Sequence, residues 1–533
     1  MTTPLRELEL TAEDGCLLLG DAPGVDYLDG AERLVGAIVA EAGDLGSLSD
    51  ELHLAGRTWA ERYHLDRGRA NALRALDLPA DAVVLEVGAG CGAITRHLGE
   101  RVAAVDAVEP VAARARVAAR RTADLPGVRV FVGLLDDVPD EPAYDLVLVV
   151  GVLEYVGAGS ASDEPYEEFL RGLRRRLRPG GALVLAIENR LGVKYLAGGH
   201  EDHSGKRWDG VQGYPDGAPA RTFARRPLER LLARSGYGVR HVLGCFPDYK
   251  ITRAVLTDDL VERHPQLARG IPSFPSPDWG HDEPRPVDEA RLWDELITAG
   301  LADQAWNSFL VVADVDGAAP ELWPADRLGV YFNTERAARW CTRAEVVGDR
   351  VRRGPLVAQR PDGVSVRGYE EPVLEGVPLL SVLADEPWRL EELLHGWRGL
   401  LRGGDGPVAD HWDLVPHNVV VTAAGLRAID LEWRVEGVTA VEVEERGLLL
   451  AADRLARDGW RGAGERTTVR DLAGWLGVLL GHAPAYVDRA AEREARFQAV
   501  RISGTTSGAG LRREQDYLRA AWRTRLDEAV AGS

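Results

Sequence analysis

Lysine is nearly absent: only Lys194, Lys206 and Lys250 occur among 64 basic residues, and arginine supplies the rest, a bias that a GC-rich genome accounts for. Cysteine is scarce too. Cys16, Cys91, Cys245 and Cys341 lie far apart with no Cys-x-x-Cys pair, which excludes a disulfide framework and a thiolate zinc site and predicts a reducing, cytoplasmic setting. No apolar run approaches the roughly eighteen residues that a membrane helix needs. The start, Met1-Thr-Thr-Pro-Leu-Arg-Glu-Leu-Glu, lacks a basic region followed by an apolar stretch, so neither export nor membrane insertion is expected. Positive charge is in deficit, with a formal net charge of −20. That argues against a nucleic-acid backbone or an anionic membrane as partner, since both reward clustered cations. A small or neutral substrate fits better, although such acidity also serves plain solubility.

What the chain does contain is ample apolar material, 45% of 533 residues, enough for roughly two to four domains. From about residue 82, β-branched runs alternate with helical stretches: Ala82–Val87, Val102–Val108, Val128–Val132, Tyr144–Val150 and Ala182–Ile187. This rhythm predicts an α/β fold with a Rossmann-like, doubly wound parallel sheet. Further strands are expected at Gly238–Leu243 or Tyr249–Val255 and at Ser308–Val312. Residues 45–78 read as helices, and the helix carrying Trp59, Tyr63 and His64 either caps the ligand end of the sheet or simply packs. A Gly-, Ala- and Pro-rich break at Asp314–Pro324 marks a boundary. The expected organisation is an N-terminal helical cap over 1–80, the α/β domain over 81–315, and a C-terminal α+β domain over 325–533.

The segment Val84-Leu85-Glu86-Val87-Gly88-Ala89-Gly90-Cys91-Gly92 ends the first parallel strand in a glycine turn. Such a turn lets the backbone approach a ligand, and the following helix aims its free N–H groups at it. Gly88, Gly90 and Ala93 also satisfy the dinucleotide pattern, with Glu109 about twenty residues on, where an acid grips ribose hydroxyls in either reading. Glu86 favours another ligand. A carboxylate there opposes a pyrophosphate but welcomes the cationic amino acid end of S-adenosylmethionine. Asp136 and Asp137, after the third parallel strand, suit a loop contacting adenine.

Leu85–Gly92, Val108-Glu109-Pro110, Tyr144-Asp145-Leu146-Val147 and Leu177-Arg178-Pro179-Gly180-Gly181 together resemble the successive motifs of class I S-adenosylmethionine-dependent methyltransferases. Gly151–Tyr155, Ile187–Tyr195, Glu201-Asp202-His203 and Phe246–Lys250 resemble a bacterial subgroup associated with surface-glycan and natural-product gene clusters. The resemblance covers roughly residues 25–313. It implies cofactor contacts at Glu86, Gly88, Gly90, Gly92, Glu109 and Asp136 or Asp137, and leaves the substrate open.

Methyl transfer requires the acceptor to be aligned opposite the donor sulfur and, for a hydroxyl acceptor, a proton to be removed. Candidates follow the fourth and fifth parallel strands. His203 is the expected base, since imidazole titrates near neutral pH and Glu201-Asp202 could orient it. Glu154 and Glu188 either assist it or hold structure. Asn189, Tyr195, Trp208 and Tyr214 are expected to contact the acceptor, with packing as the alternative for the aromatics. His200 with His203 and neighbouring acids offers a further, less specific metal set.

In the second half, His411-Trp412-Asp413-Leu414-Val415-Pro416-His417-Asn418 and Ala428-Ile429-Asp430 have kinase spacing. Asp413 stands where an Asp receives the acceptor's proton, and Asn418 and Asp430 stand where magnesium is held. The region resembles aminoglycoside-phosphotransferase-like kinases, implying ATP and Mg, and Leu374–Leu379 resembles their hinge. Against this, 325–372 has no Gly-rich phosphate loop and no lysine follows Lys250, leaving Arg343, Arg352 or Arg353 as substitutes. The alternatives are a second, phosphorylating activity or a pseudokinase module that recruits a biosynthetic partner enzyme.

Overall fold

The β-branched runs between residues 83 and 188 become five parallel strands. The first unit forms, in chain order, β1 (Ala12–Glu13), β2 (Cys16–Leu18), β3 (Val83–Val87), β4 (Ala104–Glu109), β5 (Val128–Val132), β6 (Tyr144–Val150), β7 (Leu177–Glu188), β8 (Gly238–Phe246), β9 (Ala254–Leu256), β10 (Ser308–Asp314) and β11 (Arg327–Asn333). The computed structural model describes residues 3–8, 10–13, 15–19, 30–157, 162–218, 220–271, 274–278, 281, 283–359, 362–403 and 407–531. It divides into two compact units, Met1–Phe332 and Asn333–Ser533. No helix among the described residues is long and apolar enough to cross a membrane.

Within the first unit the spatial order is β1-β2-β5-β4-β3-β6-β7-β10-β8-β9-β11. The stretch from β2 to β7 runs parallel, β10 lies antiparallel between β7 and β8, and β9 and β11 follow antiparallel. Every residue of β3 is buried, as continuous apolar runs require in a parallel sheet covered on both faces. From β3 the chain steps one way to β4 and β5 and the other way to β6 and β7. This reversal opens a crevice at the strands' carboxyl ends, where ligands of such sheets bind.

The expected N-terminal helices are present, among them Trp59–Leu65. Its start is fixed by a capping box: Glu61 N–H donates to Thr58 Oγ1 at 3.4 Å, and Thr58 N–H donates to the Glu61 carboxylate at 3.1 Å, an arrangement of about 1 kcal/mol. The sequence did not signal β1 and β2, a hairpin that extends the sheet beside β5. Nor does the break at Asp314–Pro324 end the first unit, because β11 pairs with β9 and carries it to Phe332.

The second unit forms β12 (Thr342–Val347), β13 (Arg350–Pro355), β14 (Val364–Val366), β15 (Tyr369–Pro372), β16 (Val377–Pro378), β17 (Val419–Thr422), β18 (Gly425–Ala428) and β19 (Trp433–Val435). β12, β13 and β15 make an antiparallel meander, and β16, β17 and β18 a second one. Among the described residues, five α-helices from Leu390 to Leu526 pack on a core that includes Trp340, Trp397, Trp412, Trp433 and Trp460.

Candidate active site

At the carboxyl ends of β3 to β6 lies a cavity of about 530 Å³, lined among others by Glu86, Gly88, Gly90, Glu109 and Asp136. Gly88 has φ +85°, and a Cβ there would stand 2.3 Å from Val152 Cγ2, so the turn excludes any side chain. Gly90 has φ +54° and, among the described residues, no atom within 4 Å of such a Cβ, leaving its backbone bare to the cavity. Glu86 is buried on β3, its Oε2 without a hydrogen-bond partner. Burial raises its pKa to about 8, with the charge of Glu109 adding and Thr95 and Arg69 opposing. A cationic group entering here would favour the ionised form of this carboxyl and pair with it. Glu109 Oε2 accepts from Gly90 N–H at 2.8 Å and Oε1 from Val111 N–H at 3.0 Å, which ties the turn to the end of β4.

Two expected contacts serve the fold instead. Gly92 is the N-cap of the helix Ala93–Gly99, and a Cβ would stand 2.7 Å from Ala118 Cα. Asp137 accepts from Leu134 N–H at 2.8 Å and is not on the cavity wall.

A second cavity of about 430 Å³ adjoins the first, and Tyr63, Arg114, Gly151 and Tyr155 line both. The capped helix contributes Trp59, Ala60 and Tyr63 to its wall, and the loop after β7 contributes His200 to His203.

Behind that wall, charge is concentrated. Lys194 Nζ donates to Asp202 Oδ1 at 2.7 Å and Lys250 Nζ to Asp202 Oδ2 at 2.5 Å, while Lys250 also pairs with Glu188 Oε1. Glu188 Oε2 lies 3.8 Å from His203 Nε2, and His203 Nδ1 lies 3.3 Å from the Tyr155 hydroxyl. Tyr249 donates to Glu154 Oε1 at 3.2 Å. Burial opposes ionisation of Glu188, yet the Lys250 ammonium and then His203 hold it down to about 2. Burial, with the Glu188 charge adding, pushes Glu154 up to about 7. For His203, burial works against the charge, but Glu188, then Glu154 and Glu201, raise it to about 9. The imidazole is therefore a cation at neutral pH, not the free base that the sequence suggests. Glu201 does not orient its ring either: its Oε2 accepts the backbone N–H groups of His203 and Ser204, at 2.9 and 2.6 Å.

Residues 85–183 match the family model described as a methyltransferase domain. The chain is 29% identical over 122 residues to the ubiquinone biosynthesis O-methyltransferases of two Rickettsia bellii strains, OSU 85-389 and RML369-C, covering 22% of this chain and 47% of theirs. The chain thus spans about half the length of the curated relatives it matches. Among solved structures it is similar to geranyl diphosphate C-methyltransferase from Streptomyces coelicolor A3(2), at 18% identity over 55% of this chain and 87% of that one, with a TM-score of 0.30. It is similar also to an S-adenosylmethionine-dependent methyltransferase from Mesorhizobium loti, at 21% identity over 46% and 97% of the chains, with a TM-score of 0.28.

The loops beyond the matched methyltransferase domain hold the largest departures from the expected site. Asn189 is fully buried. Its Nδ2 donates to the carbonyls of Gln304 and Trp306 at 2.8 and 2.7 Å, and its Oδ1 accepts from Leu191 N–H, so none of it remains for an acceptor. Tyr195 is buried away from both cavities. Trp208 is 38% exposed and lines neither. The Tyr214 hydroxyl is held by Thr222 at 2.6 Å. His200 pairs with Asp278 at 3.0 Å and stacks on His281 at 3.6 Å, apart from the His203 cluster. Residues with no sequence signal take their place: Arg69 on the first cavity, and Asp278 and His281 on the second.

In the second unit, Asn418 Nδ2 donates to the carbonyls of Asp413 and Asp430 at 3.0 and 3.5 Å, so the three expected residues do converge. Burial raises Asp413 to about 7, with Arg446 opposing. Asp430 stands at φ +58°, and its Oδ1 lies 3.1 Å from Arg353 Nη1, which also pairs through Nε with Glu371 at 3.0 Å. Arg343 and Arg352 pair instead with Glu345 and Glu370. A guanidinium already neutralises the carboxylate that would hold magnesium, so these residues do not fit a magnesium–nucleotide site as they stand.

Proposed function

We propose that this protein is an O-methyltransferase that uses S-adenosylmethionine and acts on a hydroxyl of a small molecule, sugar or glycan end seated in the second cavity. The observation that carries this reading is the pair of adjoining cavities sharing Tyr63, Arg114, Gly151 and Tyr155. One is built from a glycine turn and acids, the other from aromatics and a charged cluster.

S-adenosylmethionine supplies a methyl group on a sulfonium, open to in-line displacement. Glu86 takes the cationic amino end, and Glu109, at the end of β4, takes ribose hydroxyls. Arg69, whose Nη1 is held by the Lys250 carbonyl at 2.8 Å and which lies within electrostatic reach of Glu86, is placed for the carboxylate of the same zwitterion. The Gly151 backbone and Tyr63 form the window through which acceptor and donor meet. His203 brings positive charge to the acceptor wall and so favours the deprotonated oxygen. Held by Glu86, Glu109 and Arg69, the cofactor would supply its methyl to the acceptor oxygen, and the oxygen's proton would be free to leave to solvent through the open cavity.

The second unit we read as a kinase-like module that recruits a biosynthetic partner enzyme without transferring phosphate, on the strength of the Arg353–Asp430 pair. Labelled methyl transfer from S-adenosylmethionine to a panel of hydroxylated sugars and phenols tests the main reading. Incorporation that Glu86→Gln lowers at limiting S-adenosylmethionine supports it, and binding of the cofactor with transfer only to nitrogen or carbon acceptors refutes the O-methyl assignment.

A further inference from the structure

Glu154, Glu188 and His203 each turn a ligand atom toward one point, and these atoms all lie within 4.8 Å of one another. Glu154 follows β6, Glu188 ends β7, and His203 comes from the loop beyond, so three separate stretches of chain build the point. Both glutamates are fully or almost fully buried, at 0% and 1% exposure. Yet Glu154 Oε2, Glu188 Oε2 and His203 Nε2 have no hydrogen-bond partner, while Glu188 Oε1 is taken by Lys250. Buried polar atoms left this way are rare, and a group of them converging on one point implies an occupant.

The surroundings are those of a held ligand set. The Tyr155 hydroxyl sits on His203 Nδ1, which fixes the ring and leaves Nε2 facing the carboxylates. Tyr249 orients Glu154 through Oε1, and Lys250 covers Oε1 of Glu188, leaving Oε2 for the cluster. Four carboxylates, Glu154, Glu188, Glu201 and Asp202, outnumber the ammonium groups of Lys194 and Lys250 and the imidazole of His203, and an ion bound at Nε2 would displace the imidazole proton to solvent and take over its charge.

We propose that Glu154, Glu188 and His203 form a site for one divalent first-row transition-metal ion at the wall of the second cavity. Two carboxylate oxygens with an imidazole nitrogen favour an ion such as Mn²⁺ over Mg²⁺ or Ca²⁺, which prefer oxygen alone. His203 lies on the cavity wall, so the ion would place its charge beside the acceptor oxygen. That role rests on the methyl-transfer reading; binding of the ion does not.

The test uses the full chain and Mn²⁺ alone, followed by electron paramagnetic resonance and by metal analysis after desalting, for the wild type, Glu154→Gln and His203→Ala. Binding of S-adenosylhomocysteine to each variant reports that the fold is intact. One Mn²⁺ per chain is expected, with affinity at least about tenfold weaker in both variants. Failure of the wild type to take up Mn²⁺, or equal affinity in all three proteins, overturns the proposal. Mn²⁺ bound at one site with no S-adenosylhomocysteine bound would uphold the metal site and count against the methyl-transfer reading alone.

Discussion

Lys250 donates to Asp202 Oδ2 at 2.5 Å, and Lys194 holds the other oxygen of the same carboxylate, so two of the chain's three lysines meet on one buried group. In a chain that uses arginine almost everywhere else, these positions take the compact ammonium, which a planar guanidinium does not replace.

Replacing Lys250 with Met leaves Glu188 buried without its nearest cation. Breaking a buried pair from one side costs about 3–5 kcal/mol. The unfolding transition of the first unit in denaturant should shift by that amount; a change under about 1 kcal/mol would mean that Lys250 is not needed to hold Glu188.

Affinity for S-adenosylhomocysteine should rise with pH. Burial raises the Glu86 pKa to about 8, so below that pH the carboxyl is mostly neutral and must lose a proton to receive the ligand's ammonium. Calorimetry from pH 6 to 9 should show Kd falling toward a plateau above pH 8, with proton release on binding below it. Glu86→Gln should remove the pH dependence and weaken binding at pH 8.5 by about 10- to 150-fold, the worth of a charged hydrogen bond.

Alanine at the two glycines of the turn should separate packing from binding. Both positions have positive φ, at a cost of about 1–2 kcal/mol. Gly88→Ala adds a clash with Val152 and should lose about 1–3 kcal/mol more in stability. Gly90→Ala points into open space, so its larger loss should be in S-adenosylhomocysteine affinity. Equal melting temperatures for the two variants would contradict this arrangement.

The strands and the glycine turn were legible because their signals are local: β-branched runs of five to seven residues, and glycines that must take positive φ. The hairpin β1–β2 is too short to show an alternation. The second cavity was legible only in part. His203 and Tyr155 lie near the ends of β7 and β6, but Tyr63, Lys250, Asp278 and His281 meet them only through tertiary packing. Nearness in sequence misled in the opposite direction: Asn189, adjacent to Glu188, faces the backbone of residues 304–306, since successive residues at a strand end point to opposite sides. In the second unit the spacing of Asp413, Asn418 and Asp430 brought the three together as expected, while the guanidinium of Arg353 on Asp430 had no counterpart in the pattern.

The Arg353–Asp430 pair implies that Mg·ATP does not stabilise the protein. Thermal melts of the full chain with and without Mg·ATP should coincide, and Asp413→Asn should leave methyl transfer unchanged. A rise of several degrees with Mg·ATP, or phosphate appearing on the acceptor, would establish a second activity.

The identity of the ligand in the glycine-turn cavity underlies every role given to Glu86, Gly90 and Glu109. Titrating the full chain by calorimetry with S-adenosylhomocysteine and, separately, with NAD tests it most directly. One S-adenosylhomocysteine per chain with no heat from NAD is the expected result; NAD bound at one site per chain, with S-adenosylhomocysteine unable to displace it, would make the cavity a dinucleotide site instead.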